Sequence, residues 1–205
     1  MNPSTKAPHS LTFYHLKNLF LENYLFFIIS ELCRLFPRTS KFFSRLAALG
    51  VGTSSVVSVS QNLFATPRLV KFREMEYCIP LEYAKEVIQE VRSIVEEKQY
   101  QVHFPIECRT VKEDSIWLSP SFKRPSFYMA FHMYKGMSYD SYFHDMEVIM
   151  SKYDGRPHWG KLHSKNQDEL LHLYPHLADF LRIRRQFDPQ DIFMNEYMTH
   201  LFEQA

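Results

Sequence analysis

Arg68–Pro80 reads RLVKFREMEYCIP, and the fold turns on it. Its β-branched and aromatic content is that of a β-strand, and Pro80 closes it. Beyond the proline, Leu81, Ala84, Val87, Ile88, Val91, Ile94 and Val95 recur at helical spacing and predict a helix over 81–98. YQVHFPIECRTV (100–111) then alternates. Val102, Phe104, Ile106, Cys108 and Thr110 fall on one face and His103, Pro105, Glu107 and Arg109 on the other, which predicts a half-buried strand. SFYMAFHMY (126–134) is a further strand, with Tyr128, Ala130, His132 and Tyr134 sharing a face. Tyr139, Tyr142, Phe143, Met146, Ile149, Met150 and Tyr153 return at helical spacing and mark a second long helix, ending at Asp154-Gly155.

Later in the chain, Asn166 with Glu169 three residues on makes an N-terminal cap for another helix. Pro175 separates that helix from one running through Arg185. Strand–helix–strand followed by strand–helix, with helices gathered at both ends, predicts an α+β domain whose sheet is antiparallel or mixed.

The N-terminal part differs. LTFYHLKNLFLENYLFFIISELCRLF (11–36) is apolar but broken by Lys17, Asn18, Glu22, Asn23 and Glu31. Its longest apolar run, Tyr24–Ile29, is far short of the roughly 20 residues that a spanning helix needs. An amphipathic helix is expected here, packed on a core or a partner, with a membrane-surface helix as the alternative. Residues 37–64, rich in Ser, Thr and Gly, read as a connector holding one short helix. The expected division is therefore 1–64, helical and connecting, and 65–205, the α+β domain. A cytoplasmic location, with peripheral membrane contact as the variant, accompanies this reading.

Composition narrows the function. In 205 residues, 45% are hydrophobic and 16% aromatic, so a sizeable core forms and global disorder is excluded. A formal net charge of +1 argues against nucleic acid as the partner, because phosphate binding calls for a basic excess. Cys33, Cys78 and Cys108 share no short spacing and read as reduced core cysteines. Five glycines are well below the usual roughly 7%. Only LGVGTSS (Gly50, Gly52) approaches a phosphate-cradling loop, so no dinucleotide pyrophosphate is expected to bind this chain by itself.

Candidate chemistry is thinly spread. Glu107 and Arg109, two apart on a strand, emerge on one face and set a hydrogen-bond acceptor beside a fixed cation, or form an exposed ion pair of little consequence. His132 and Tyr134 repeat the arrangement, or are satisfied polar residues at a sheet surface. RPHWGKLH (156–163) holds His158 and His163 five apart with no ligand-like carboxylate or cysteine nearby, so no metal site is expected. Its Lys161, next to Gly160 and near Trp159, is placed to meet a small polar substrate if it is not simply solvated.

FREMEYCIP, FPIECRTVKEDSIWLSPSF, RPHWGKLH and DPQDIFMNEYM occur here in a fixed order. In that order they resemble the C-terminal substrate-binding (cap) domain of the aldonolactone oxidases, flavoproteins of the vanillyl-alcohol-oxidase superfamily. The resemblance covers the chain from about residue 15 to its end. It implies a flavin-oxidase cap fold without the N-terminal FAD-binding domain, in keeping with the glycine shortage. It also implies FAD as cofactor, held mainly by that other domain in trans or in a longer product. The substrate it implies is a small sugar lactone or polyol, oxidised by hydride transfer from a carbinol to the flavin.

By the same resemblance, Glu107 accepts from substrate hydroxyls and Arg109 steadies developing negative charge. Lys161 binds the hydroxyl under oxidation. His132, Tyr134 and His158 are further substrate contacts, and Trp159 and Asn195 face the flavin. At Tyr134 the alditol oxidases carry a smaller hydroxyl residue, so the choice among lactones and alditols stays open. A non-catalytic remnant or interaction module that keeps the fold is the alternative reading.

Overall fold

The computed structural model describes residues 19–50, 57, 59 and 69–202. Among them are seven α-helices and one four-stranded sheet, and the fold is α+β. The sheet order is β2-β3-β1-β4, with β1 at Phe72–Pro80, β2 at Glu107–Val111, β3 at Ser126–Tyr134 and β4 at Arg156–Pro157. β2 pairs antiparallel with β3, and β1 antiparallel with β4. The helices are α1 (Phe26–Leu35, preceded by a π-helical turn Leu19–Leu25), α2 (Ser40–Gly50), α3 (Ala84–Glu97) and α4 (Asp140–Ser151). They continue with α5 (Gln167–Leu173), α6 (Leu177–Phe187) and α7 (Glu196–Phe202).

Two compact units make up the chain. One comprises the described residues within Met1–Arg73, with Gln101–Pro105 and His132–Ser138. The other comprises Glu74–Tyr100, Ile106–Phe131 and Tyr139–Ala205.

In the first unit, α1 and α2 realise part of the expected helix over 11–36 and the short helix of the connector. Residues 11–18, 51–56, 58 and 60–68 lie outside the described residues, and with them most of the LGVGTSS stretch. His103 is buried, its Nε2 2.9 Å from the Ser30 hydroxyl, and the rings of Phe26, Phe72, Phe104 and His132 pack around it and one another. Desolvation lowers the His103 pKa to about 4, so the ring is neutral. This corrects the expected strand over 100–111: only Glu107–Val111 is a strand, and all five of its residues are exposed. Pro105 has no N–H for a ladder, and the aromatic cluster draws in His103 from the predicted polar face. Cys108 is exposed as a result, while Cys33 and Cys78 are buried as expected.

The second unit follows the periodicity closely. Met75, Tyr77, Cys78 and Ile79 of β1 are buried, and so are Val87 and Val91 of α3, although Ile88 is exposed. α4 buries Tyr142, Phe143, Met146, Ile149 and Met150. It ends where Asp154 takes a left-handed φ of 50° and the Gly155 N–H donates to Met150 O at 3.0 Å. A Cβ at Gly155 would sit 2.6 Å from that carbonyl, so only glycine fits. Leu170, Tyr174, Leu177, Leu201 and Phe202 form a second cluster that gathers α5, α6 and α7. β3 is buried along all nine residues, on both faces, so His132 and Tyr134 are buried and not at a sheet surface. No described helix is long and apolar enough to cross a membrane.

Candidate active site

RPHWGKLH runs as an edge along β1 in the second unit. Tyr77 lies opposite Pro157 and Cys78 opposite Arg156, and the His158 N–H extends the ladder to Glu76 O at 2.9 Å. The chain then turns, Lys161 N–H donating to His158 O at 3.1 Å, and rejoins β1 where the Leu162 N–H donates to Glu74 O at 3.0 Å. The turn sets Lys161 against the face of β1 that carries Glu74 and Glu76, two residues apart and hence on one side. Its ammonium donates to Glu74 Oε1 at 2.5 Å and to Glu76 Oε2.

Arg109 reaches the same carboxylate from β2. It stands opposite Tyr128 on β3, its guanidinium lies over that ring at 5.0 Å from the centroid, and Nη2 donates to Glu76 Oε1. Each oxygen of one fully buried carboxylate therefore holds one cation. An ionised carboxylate at 0% exposure persists only when so paired. The Arg109 side chain stays 50% exposed, so its pairing is screened by solvent and acts more through geometry than through stability.

Electrostatics fixes the state of the lysine. Burial works to lower the Lys161 pKa, but hydrogen bonds to Glu74 and Glu76 outweigh it, and the net effect is upward. Lys161 is thus a cationic donor and not a base near neutrality. Tyr128 is pushed up to about 12, chiefly by burial, and stays a neutral hydroxyl 2.9 Å from Ser121 Oγ.

The turn is held at its far end as well. The Ser164 N–H and hydroxyl both donate to Glu147 of α4, and the Tyr77 hydroxyl donates to the same carboxylate. Burial, then the adjacent Glu147 charge, drives the Tyr77 pKa strongly upward, so Tyr77 remains a donor.

The other expected site residues fall as follows. Glu107 opens β2 opposite Ala130, is exposed, and makes no side-chain hydrogen bond or ion pair among the described residues. Arg109 is paired with Glu76 and not with Glu107. The His158 ring turns back on its own loop, Nδ1 accepting from Gly160 N–H at 3.1 Å. Gly160 adopts no positive φ, and a Cβ there would make only ordinary contact with His158. Trp159 donates from Nε1 to Leu118 O at 3.0 Å and packs on Tyr174. Asn195 caps α7, its Oδ1 accepting from Met198 N–H at 2.9 Å. His132 and Tyr134 belong to the first unit. There Tyr134 donates to Glu31 Oε1 at 2.6 Å and His132 lies against Phe72 and Phe104.

Glu74, Glu76 and Glu147 escaped the sequence reading. A signal for the first two was present: glutamates at alternating positions of FREMEY obey the same two-residue rule that singled out Glu107 and Arg109. Among the described residues no group of three or more His, Cys, Asp or Glu side chains is placed to hold a metal ion.

Residues 1–201 match the family described as D-arabinono-1,4-lactone oxidase. The chain belongs to this family. An L-gulono-1,4-lactone dehydrogenase of Mycobacterium tuberculosis is 38% identical over 170 residues, 83% of this chain and 40% of the relative. An L-gulonolactone oxidase of Mus musculus is 32% identical over 188 residues, 89% of this chain and 42% of the relative. An alditol oxidase of Streptomyces sp. is 30% identical over 131 residues, 63% of this chain and 31% of the relative. The chain spans about two fifths of the length of the first two of these relatives. Names of this kind place the family among oxidoreductases acting on sugar lactones and alditols.

Proposed function

We propose that this chain is the substrate-binding, catalytic half of an FAD-dependent sugar-lactone oxidoreductase of the D-arabinono-1,4-lactone or L-gulono-1,4-lactone type. In this reading an FAD-binding domain, in trans or in a longer product, holds most of the flavin. Residues 1–64 serve as the helical and connecting part, and 65–205 as the substrate domain.

The carrying observation is the convergence of Arg109 and Lys161, from two separate segments, on one buried carboxylate, with the unengaged Glu107 two residues from Arg109. Two fixed cations and a free carboxylate are the donor and acceptor set that an alcohol facing a flavin needs. Bound FAD would supply the acceptor for a hydride leaving a carbinol carbon, with the hydroxyl proton lost to solvent. Lys161 donates a hydrogen bond to the hydroxyl under oxidation and orients it. Glu107 accepts from a neighbouring substrate hydroxyl. Arg109 stabilises negative charge as it develops. His158 borders the same turn and is proposed as a substrate contact, and so are His132 and Tyr134 within the first unit. Trp159 and Asn195, proposed to serve the cofactor side, each use a polar atom inside the chain and would act by shaping the backbone around it.

Production of the chain together with an FAD-binding domain of the family, followed by absorbance of the flavin on adding lactone, tests the reading. Lactone-dependent bleaching is expected, and Arg109→Ala or Lys161→Ala slows it by about 10²-fold or more. No bleaching with any partner domain overturns it. A second reading, a non-catalytic interaction module, draws support from the exposed Phe27, Ile28, Leu35, Phe42, Leu46 and Leu49 of α1 and α2. The same experiment separates the two.

A further inference from the structure

We infer that Glu76 is a positioning residue: it fixes Lys161 and Arg109 relative to one another, one on each carboxylate oxygen, and keeps Lys161 a donor. The inference rests on the reading above and assigns the substrate no contact with Glu76.

Glu76 cannot be a substrate ligand as it stands. It is fully buried in the middle of β1, between Met75 and Tyr77, and both its oxygens are engaged. What it holds is the reactive pair. Lys161 stands on a four-carbon arm and Arg109 is half exposed, so neither is fixed by packing alone. Two like charges brought to one place also repel. A shared anion between them removes that repulsion and sets their spacing in a single step. Glu74 plays a smaller part: it is 23% exposed and reaches Lys161 without joining the Lys161–Arg109 bridge.

The ionisable groups facing Glu76 are Glu74 on its own strand, Arg109 on β2, Tyr128 on β3 and Lys161 on the turn after β4. Of these, Tyr128 is held neutral, so the balance is two cations against two carboxylates. Removal of the Glu76 charge leaves Lys161 with Glu74 alone, with burial still opposing its charge and Arg109 still nearby. Its raised pKa must then fall.

Competitive acetylation of the folded chain across pH, read peptide by peptide by mass spectrometry, reports the state of Lys161 with no flavin or substrate present. Exposed Lys85 on α3 serves as the internal reference. In the wild-type chain, Lys161 should react more slowly than Lys85. In Glu76→Gln, its labelling at pH 8 should rise about tenfold or more relative to Lys85, the effect of losing one opposite charge. Glu76→Asp, which keeps the charge, should restore slow labelling, and Glu74→Gln should change it less than Glu76→Gln.

Equal labelling of Lys161 in wild type and Glu76→Gln overturns the inference. So does wild-type Lys161 reacting like Lys85, a result that needs no variant to fold. Because the assay contains no lactone and no flavin, its outcome is separate from lactone-dependent bleaching: either can fail while the other stands.

Discussion

Ser164 is joined to Glu147 twice, by its N–H to Oε1 at 2.9 Å and by its hydroxyl to Oε2 at 2.7 Å. The Tyr77 hydroxyl is a third donor to this buried carboxylate. Hydrogen bonds to a charged group are the stronger kind, so Ser164→Ala should lower stability by about 1.5–3 kcal/mol. Urea unfolding should show the midpoint falling with the slope unchanged. An unchanged midpoint would mean that the backbone bond alone secures the turn.

Arg109 and Lys161 share one buried anion, so their contributions to stability cannot be independent. Either single replacement by alanine leaves Glu76 with one cation, and the double replacement leaves it with neither. The double variant should therefore lose more than the sum of the singles, by about 1 kcal/mol or more. A double-mutant cycle in urea measures this directly, and strict additivity would contradict a shared anion.

At the start of α5 the Asn166 side chain accepts from the Glu169 N–H, and the Glu169 carboxylate accepts from the Asn166 N–H, each at 3.0 Å. Asn166→Ala removes one half of this reciprocal cap and should cost about 1 kcal/mol. For a chain of this size the midpoint of thermal unfolding should drop by about 2–4 °C.

His103 gives the first unit a pH dependence. Its folded pKa, about 4, lies below the ordinary histidine value of 6.5 because the buried ring resists charging. The unfolded chain therefore binds the proton first as pH falls. Stability from this residue is complete above pH 6.5 and is lost progressively between pH 6.5 and 4, by roughly 3 kcal/mol. Below pH 4 it contributes no further loss. Denaturation at a series of pH values should show this slope, and His103→Asn should flatten it.

The parts of the fold that the sequence reveals are those where one period runs without competition. β1, α3, β3, α4 and the Asn166 cap all announce themselves in this way. Residues 100–106 do not, because Val102, Phe104 and Ile106 mimic an alternating strand while Pro105 and a ring cluster dictate an irregular path. Burial of β3 on both faces is hidden for a different reason. Contacts such as that of the Tyr134 hydroxyl with Glu31, 103 positions earlier, leave no trace in a local pattern. In the candidate site, two-residue spacing sets Arg109 beside Glu107 and leaves Lys161 open between a substrate contact and a solvated charge, and family resemblance is what gives both an expected role. Glu74 and Glu76 carry the same two-residue spacing, but the polar face of a strand reads as solvent-facing until Lys161, 85 positions on from Glu76, is brought to it.

Consecutive residues of β1 do opposite jobs for one turn. Glu76 grips Lys161 directly, while Tyr77, pointing the other way, holds Glu147 and through it Ser164. A one-residue slip of this strand would exchange the two faces and release the turn at both ends together. The register of one strand is therefore a single latch for both ends of the turn.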